Sequence, residues 1–118
     1  MTHNYKKLKV WELAMEVTAE TYQLSLLYPN EEKFGLIAQI KRSAVSIPSN
    51  IAEGSGRNTD KDFVRFLSIA LGSSFELETQ LILTIKLNLL KEEEVNNVLN
   101  KNAETQKMIY KLRDKLNN

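Results

Sequence analysis

The chain has no cysteine, one histidine, two prolines and four glycines in 118 residues. Without cysteine there is no disulfide and no thiolate metal site. With His3 as the only imidazole, a Ser-His-Asp triad or a histidine-based metal centre would have to be built on the frayed start of the chain. The Glu-x-x-His pairs that bundle di-iron sites use are also missing. No apolar run reaches roughly 18 residues, so no membrane span is expected. Residues Met1 to Lys7 lack the apolar segment of a signal peptide. Lys and Arg number 16 against 15 Asp and Glu, a net charge of +1, so no global field draws the chain to nucleic acid or anionic membrane. Such binding must come from a local patch. These absences point away from an enzyme, a metal site and a cofactor, and they suit the cytoplasm.

What is present is helical. Hydrophobic residues make up 42% and charged residues 26%, an ordinary balance for one globular domain spanning 1–118. The organising stretch runs from Gln39 to Gly56. Ile37, Ile40, Ala44, Ile47 and Ile51 share one face at helical spacing. Pro48 interrupts that face, removing a backbone donor and crowding the carbonyl one turn back. Ser43, Ser46, Ser49 and Asn50 surround it, and short polar side chains can bond freed carbonyls. Gly54 and Gly56 are expected to stop the helix. The stretch reads as a buried, proline-kinked helix with its polar face held against a neighbour.

In chain order, the first helix is expected from Lys9 to Leu27. Val10, Leu13, Ala14, Val17, Leu24 and Leu27 form one stripe, and Trp11, Met15, Tyr22 and Leu26 a second. Tyr28-Pro29 ends it. The second helix should open on Asn30 as N-cap, with Glu31 and Glu32 in its first turn, and run to Glu53. The third should open on Thr59, with Asp62 completing a variant capping box, and reach Leu89, about 30 residues or roughly 45 Å. Its apolar residues cover most of its circumference. Gly72 in mid-helix costs about 1 kcal/mol relative to alanine, which implies a close helix crossing there. The fourth should run from Glu92 to Leu116 on a narrower stripe of Val95, Val98, Ile109, Leu112 and Leu116. Short connections between long helices give an all-α, antiparallel up-down-up-down four-helix bundle with a long third helix.

The first and third helices carry more apolar surface than one bundle needs. Either the second and fourth helices wrap them, or copies of the chain cover them. Large apolar patches seldom stay exposed, which favours a homo-oligomer. Ser46, Asn50, Glu53, Ser73 and Glu76 are candidates for a polar network that fixes helix register. Glu53, Glu76 and Glu78 could supply an acid and a base. Carboxylates in such settings are more often structural partners, so no catalytic residue is assigned. Lys41 and Arg42 on the second helix, with Arg57, Lys61 and Arg65 after it, are candidate nucleic-acid contacts. Lys6, Lys7 and Lys9 precede the first helix, and Lys101, Lys107, Lys111, Arg113 and Lys115 line the fourth. Interspersed acids favour an ordinary solvated surface on sequence alone. In an oligomer a modest patch repeats about the axis, and several phosphate contacts would make binding strongly salt-dependent. No aromatic platform for base stacking stands beside these charges.

Several stretches together resemble one family. Lys9-Val10-Trp11-Glu12-Leu13-Ala14, Gln39 through Gly54 with its Ser-Ile-Pro-Ser-Asn-Ile-Ala-Glu-Gly core, Phe63 to Ser73, and Glu76-Leu77-Glu78-Thr79-Gln80-Leu81 are similar to the bacterial 23S ribosomal RNA intervening-sequence proteins. Phe34-Gly35-Leu36 fits the same pattern. The resemblance covers nearly the whole chain, although the fourth helix matches only in pattern. It implies an antiparallel four-helix bundle, pentameric rings and no catalytic residues. Accessory proteins of diversity-generating retroelements look like relatives; they are basic pentamers that assist a reverse transcriptase and bind nucleic acid. At +1 this chain departs from their basic character. The function expected is therefore a non-catalytic accessory protein of RNA or DNA, or alternatively a scaffold that binds another protein.

Overall fold

Apolar residues spaced three and four apart can be buried together only if the backbone coils into helices that pack stripe to stripe. The computed structural model describes residues 3–29 and 35–118 and, among them, contains no strand. Its helices are α1 (Lys9–Ser25), α2 (Leu36–Ser55), α3 (Asp60–Lys86) and α4 (Glu92–Asn117). A short 3-10 turn, Tyr5–Lys7, precedes them. Asn30, Glu31, Glu32 and Phe34 lie outside the described residues.

Local chemistry sets the ends. Thr59 caps α3, its hydroxyl accepting the Asp62 N–H at 3.1 Å. The Glu94 carboxylate reaches back to the Lys91 N–H at 2.9 Å and closes the start of α4. α3 stops at Lys86, three residues before the expected Leu89, because Asn88 takes a left-handed conformation (φ 59°). The Leu89 N–H then bonds the Thr84 carbonyl and the Asn88 N–H the Ile85 carbonyl, the paired closure that asparagine tolerates better than most side chains. α1 ends at Ser25 rather than Leu27, its last turn relaxing into turns that continue to Tyr28.

Two glycines change roles. Gly54 does not stop α2. It is buried inside the helix, which runs on to Ser55, and a Cβ there would lie 2.6 Å from Phe66 Cβ and 2.9 Å from Phe63 Cδ1. The close crossing is therefore between α2 and α3 at Gly54. Gly72, expected to mark it, is exposed, and a Cβ there would meet nothing within 4 Å.

Pro48 is buried and lies within the unbroken run of α2. The Ala44 carbonyl, one turn earlier, would ordinarily receive the N–H that proline lacks. The Thr18 hydroxyl of α1 supplies that contact at 3.0 Å, sharing its proton with its own Ala14 carbonyl at 2.9 Å.

Neighbouring helices run antiparallel, as their cross-contacts show. Residue numbers rise on one helix as they fall on the other at Thr18–Ala44 and Tyr22–Lys41, and at Gln39–Gln80 and Ser46–Ser73. The same holds for Ser68–Arg113 and Ser74–Asn102, and for Glu16–Lys101 and Glu20–Asn97. α1 packs between α2 and α4, and so does α3. The four make a bundle 46 × 22 × 19 Å in which α1 and α3 are diagonal.

Candidate functional site

The core between the helices is mostly apolar, crossed at a few points by buried polar contacts. Asn102 on α4 is fully buried; it accepts the Ser74 hydroxyl at 2.6 Å and donates to the Ser74 carbonyl at 3.0 Å. A second link joins α2 to α3. Ser46 and Ser73 share a hydrogen bond of 2.8 Å, while the Asn50 amide donates to the Ser46 carbonyl at 2.8 Å and hydroxyl at 3.0 Å. Of the five residues nominated for a network, these three are brought together. Glu53 is exposed and pairs with Arg57 at 2.8 Å, and Glu76 is exposed on α3. Both carboxylates project where water solvates them more cheaply than a buried serine would. Asn102 was not singled out from the sequence. Its signal was a gap, since the stripe Val95–Val98 resumes only at Ile109 and Asn102 and Thr105 fill the missing buried positions.

The five nominated cations fall into two groups. Lys41 and Arg42 sit on α2 about 20 Å along the helix from its C-terminal end. Lys41 lies over the Tyr22 ring at 5.0 Å, and Arg42 is exposed. Arg57, Lys61 and Arg65 gather where α2 turns into α3. Arg57 is held by Glu53 and, at 3.8 Å, by Asp62; Arg65 is held by Asp62 at 3.0 Å. Their guanidiniums flank the Phe66 ring at 4.5 and 4.6 Å. Lys61 is exposed. Two of the five charges are thus already matched by carboxylates.

His3 is better fixed than a frayed end. Its N–H donates to the Ser55 carbonyl at 2.8 Å, its ring meets Asp60 at 3.0 Å, and it packs 5.1 Å from Phe63. It straps the chain's start to the α2–α3 corner. Among the described residues no three His, Cys, Asp or Glu side chains are placed to hold a metal ion. No helix described is long and apolar enough to cross a membrane.

On the opposite edge Lys101 of α4 bonds Glu20 and, at 3.2 Å, Glu16 of α1. The hydrogen bond to Glu20, then that to Glu16, raises its pKa above the ordinary 10.5. Glu16 and Glu20 of α1 therefore face a lysine of their own chain.

Two apolar flanks stay uncovered. Met15 of α1 and Val45 of α2 are exposed in a groove shared with Trp11 and Pro48, and Tyr22 of α1 and Leu26 just beyond it are exposed further along. On the diagonal helix Ile69, Phe75, Ile82 and Leu83 of α3, with Leu87 just past its end, are exposed, and Gly72 opens onto the groove beside Phe75 and Leu83. Leu26 and Leu87 are the extremes, 77% and 60% exposed.

Residues 6–111 match the family model described as 23S rRNA-intervening sequence protein. The fold is similar to a crystal structure from Bacteroides thetaiotaomicron, a protein of unknown function from the S23 ribosomal protein family. The two are 30% identical with a TM-score of 0.82, over 88% of this chain and 97% of that one. No curated protein matches the chain.

Proposed function

The chain belongs to the 23S rRNA-intervening sequence protein family, and from that premise we propose that it is a non-catalytic homo-oligomer serving RNA or DNA as an accessory protein. The observation that carries the oligomer is the pair of uncovered apolar flanks on diagonal helices. Two different patches on one protomer favour head-to-tail contacts, and such contacts close into a ring when the rotation between copies permits. A pentamer is the ring size that the resemblance supplies.

In the ring each copy repeats Lys41, Arg42 and Lys61 about the axis. Arg57 and Arg65 contribute where phosphate displaces the carboxylates that hold them. Binding of this kind releases counterions and so weakens steeply with salt. The test is fluorescence anisotropy with a labelled RNA and a labelled duplex DNA, from about 50 to 200 mM salt. The proposal expects affinity to fall steeply over that range, and to fall at all salts when Lys41, Arg42 and Lys61 are changed together to Glu. Affinity indifferent to salt, or no binding at low salt, contradicts it.

One observation favours the alternative, a scaffold that binds another protein. Arg57 and Arg65 are neutralised within the chain, and arginines left free for phosphate would not need to be.

A further inference from the structure

Unmatched positive charge also gathers away from Lys41, Arg42 and Lys61. Among the described residues Lys9, Lys107, Lys111 and Lys115 form no ion pair, whereas Arg57, Arg65 and Lys101 all do. Lys107, Lys111 and Lys115 follow one another at a spacing of four on α4, where like charges repel. The C-terminal dipole of α4 favours Lys115. It does nothing for Lys9, which opens α1 at the end where a cation is disfavoured.

Lys9, Lys111 and Lys115 stand around a groove between the start of α1 and the end of α4. Its remaining lining is aliphatic: Leu8, Val10, Met108 and Leu112. No carboxylate lines it, unlike the α1/α4 groove at the far end, which holds Glu20 and Glu94. The volume is about 250 Å³, smaller than the roughly 300–1,000 Å³ of small-molecule sites and suited to a few apolar side chains.

We propose that this groove docks an amphipathic helix of another protein whose apolar anchors are flanked by Glu or Asp. The described residues offer no strand edge to pair with an extended segment, whereas a helix brings its backbone hydrogen bonds with it. An aliphatic floor receives leucine-like anchors, and three lysines on the rim receive the acids beside them. Nucleic acid fits less well, because the floor has no aromatic face on which a base can stack. The groove shares no residue with the five cations assigned to phosphate above, so the two proposals fail separately.

The test uses the intact protein and a fluorescein-labelled helical peptide of roughly 20 residues, with leucines on one face and glutamates beside them. Saturable binding is expected. It should weaken about tenfold or more in Lys111→Glu/Lys115→Glu, and again when lysines replace the peptide's glutamates. Met108→Ser should weaken it without altering the helical circular dichroism, and RNA binding by these variants should be unchanged. No saturable binding overturns the proposal. So does binding that survives both charge reversals, or a duplex DNA that occupies the groove more tightly than the peptide.

Discussion

Pro48 removes the N–H that the Ala44 carbonyl would receive, and Thr18 of the neighbouring helix replaces it at 3.0 Å. A carbonyl buried without a partner costs about 1–3 kcal/mol. Thr18→Val, which keeps the shape and loses the donor, should therefore lower stability by about 1–2 kcal/mol in a urea titration. In a Pro48→Ala background the backbone regains its own donor, and the same valine substitution should cost much less. Equal costs in both backgrounds would show that the hydroxyl is not answering the proline. The glycines make a second contrast. Gly54→Ala forces a Cβ to 2.6 Å from Phe66 Cβ, an overpacking that should destabilise by about 1–3 kcal/mol. Gly72→Ala enters open space and should stabilise by about 1 kcal/mol through helix propensity. The same urea measurement reads both, and a reversed order would contradict the packing described.

At the scale of elements, much was legible. Helical spacing, Thr59 before Asp62, and three glutamates before a long amphipathic run gave four helices with starts close to those observed for α1, α3 and α4. What escaped was whatever depends on a partner helix. A glycine reads alike whether it ends a helix or admits a neighbour, so the close crossing falls at Gly54 and not at Gly72. Thr18 gives no local sign that it answers a proline 30 residues away. Asn102 could have been read from the interrupted stripe of α4. Ser46, Asn50 and Ser73 come within hydrogen-bond reach because all three lie on helix faces that local spacing defines. Glu53 and Glu76 depend on which way a face turns once the bundle is assembled.

The clasp between α1 and α4 also belongs to this scale. Glu20 and Glu16 raise the Lys101 pKa above 10.5, so the folded state binds this proton more tightly than the unfolded chain does. The stability it contributes is complete below pH 10.5 and is lost as pH rises through the higher folded value. Urea titrations of the native chain and of Lys101→Met should therefore differ by a constant amount from neutral pH to about 10 and converge in stronger alkali. A difference that already shrinks between neutral pH and 9 would contradict the assignment.

For the whole molecule, a net charge of +1 conceals an uneven distribution. Glutamates crowd the start of α4 while its last turns carry unmatched lysines. The apolar surplus is uneven too. The core is closed, yet α1 and its diagonal partner α3 each keep large side chains in water. A solitary bundle leaves both flanks in water, whereas the proposed ring would bury one against the other. Light scattering coupled to size-exclusion chromatography, at micromolar concentration, tests this most directly. The account predicts a mass near five times 13.5 kDa, falling toward one protomer in Phe75→Asp/Leu83→Asp with helical content retained. A native chain that elutes as a stable 13.5 kDa monomer would contradict it.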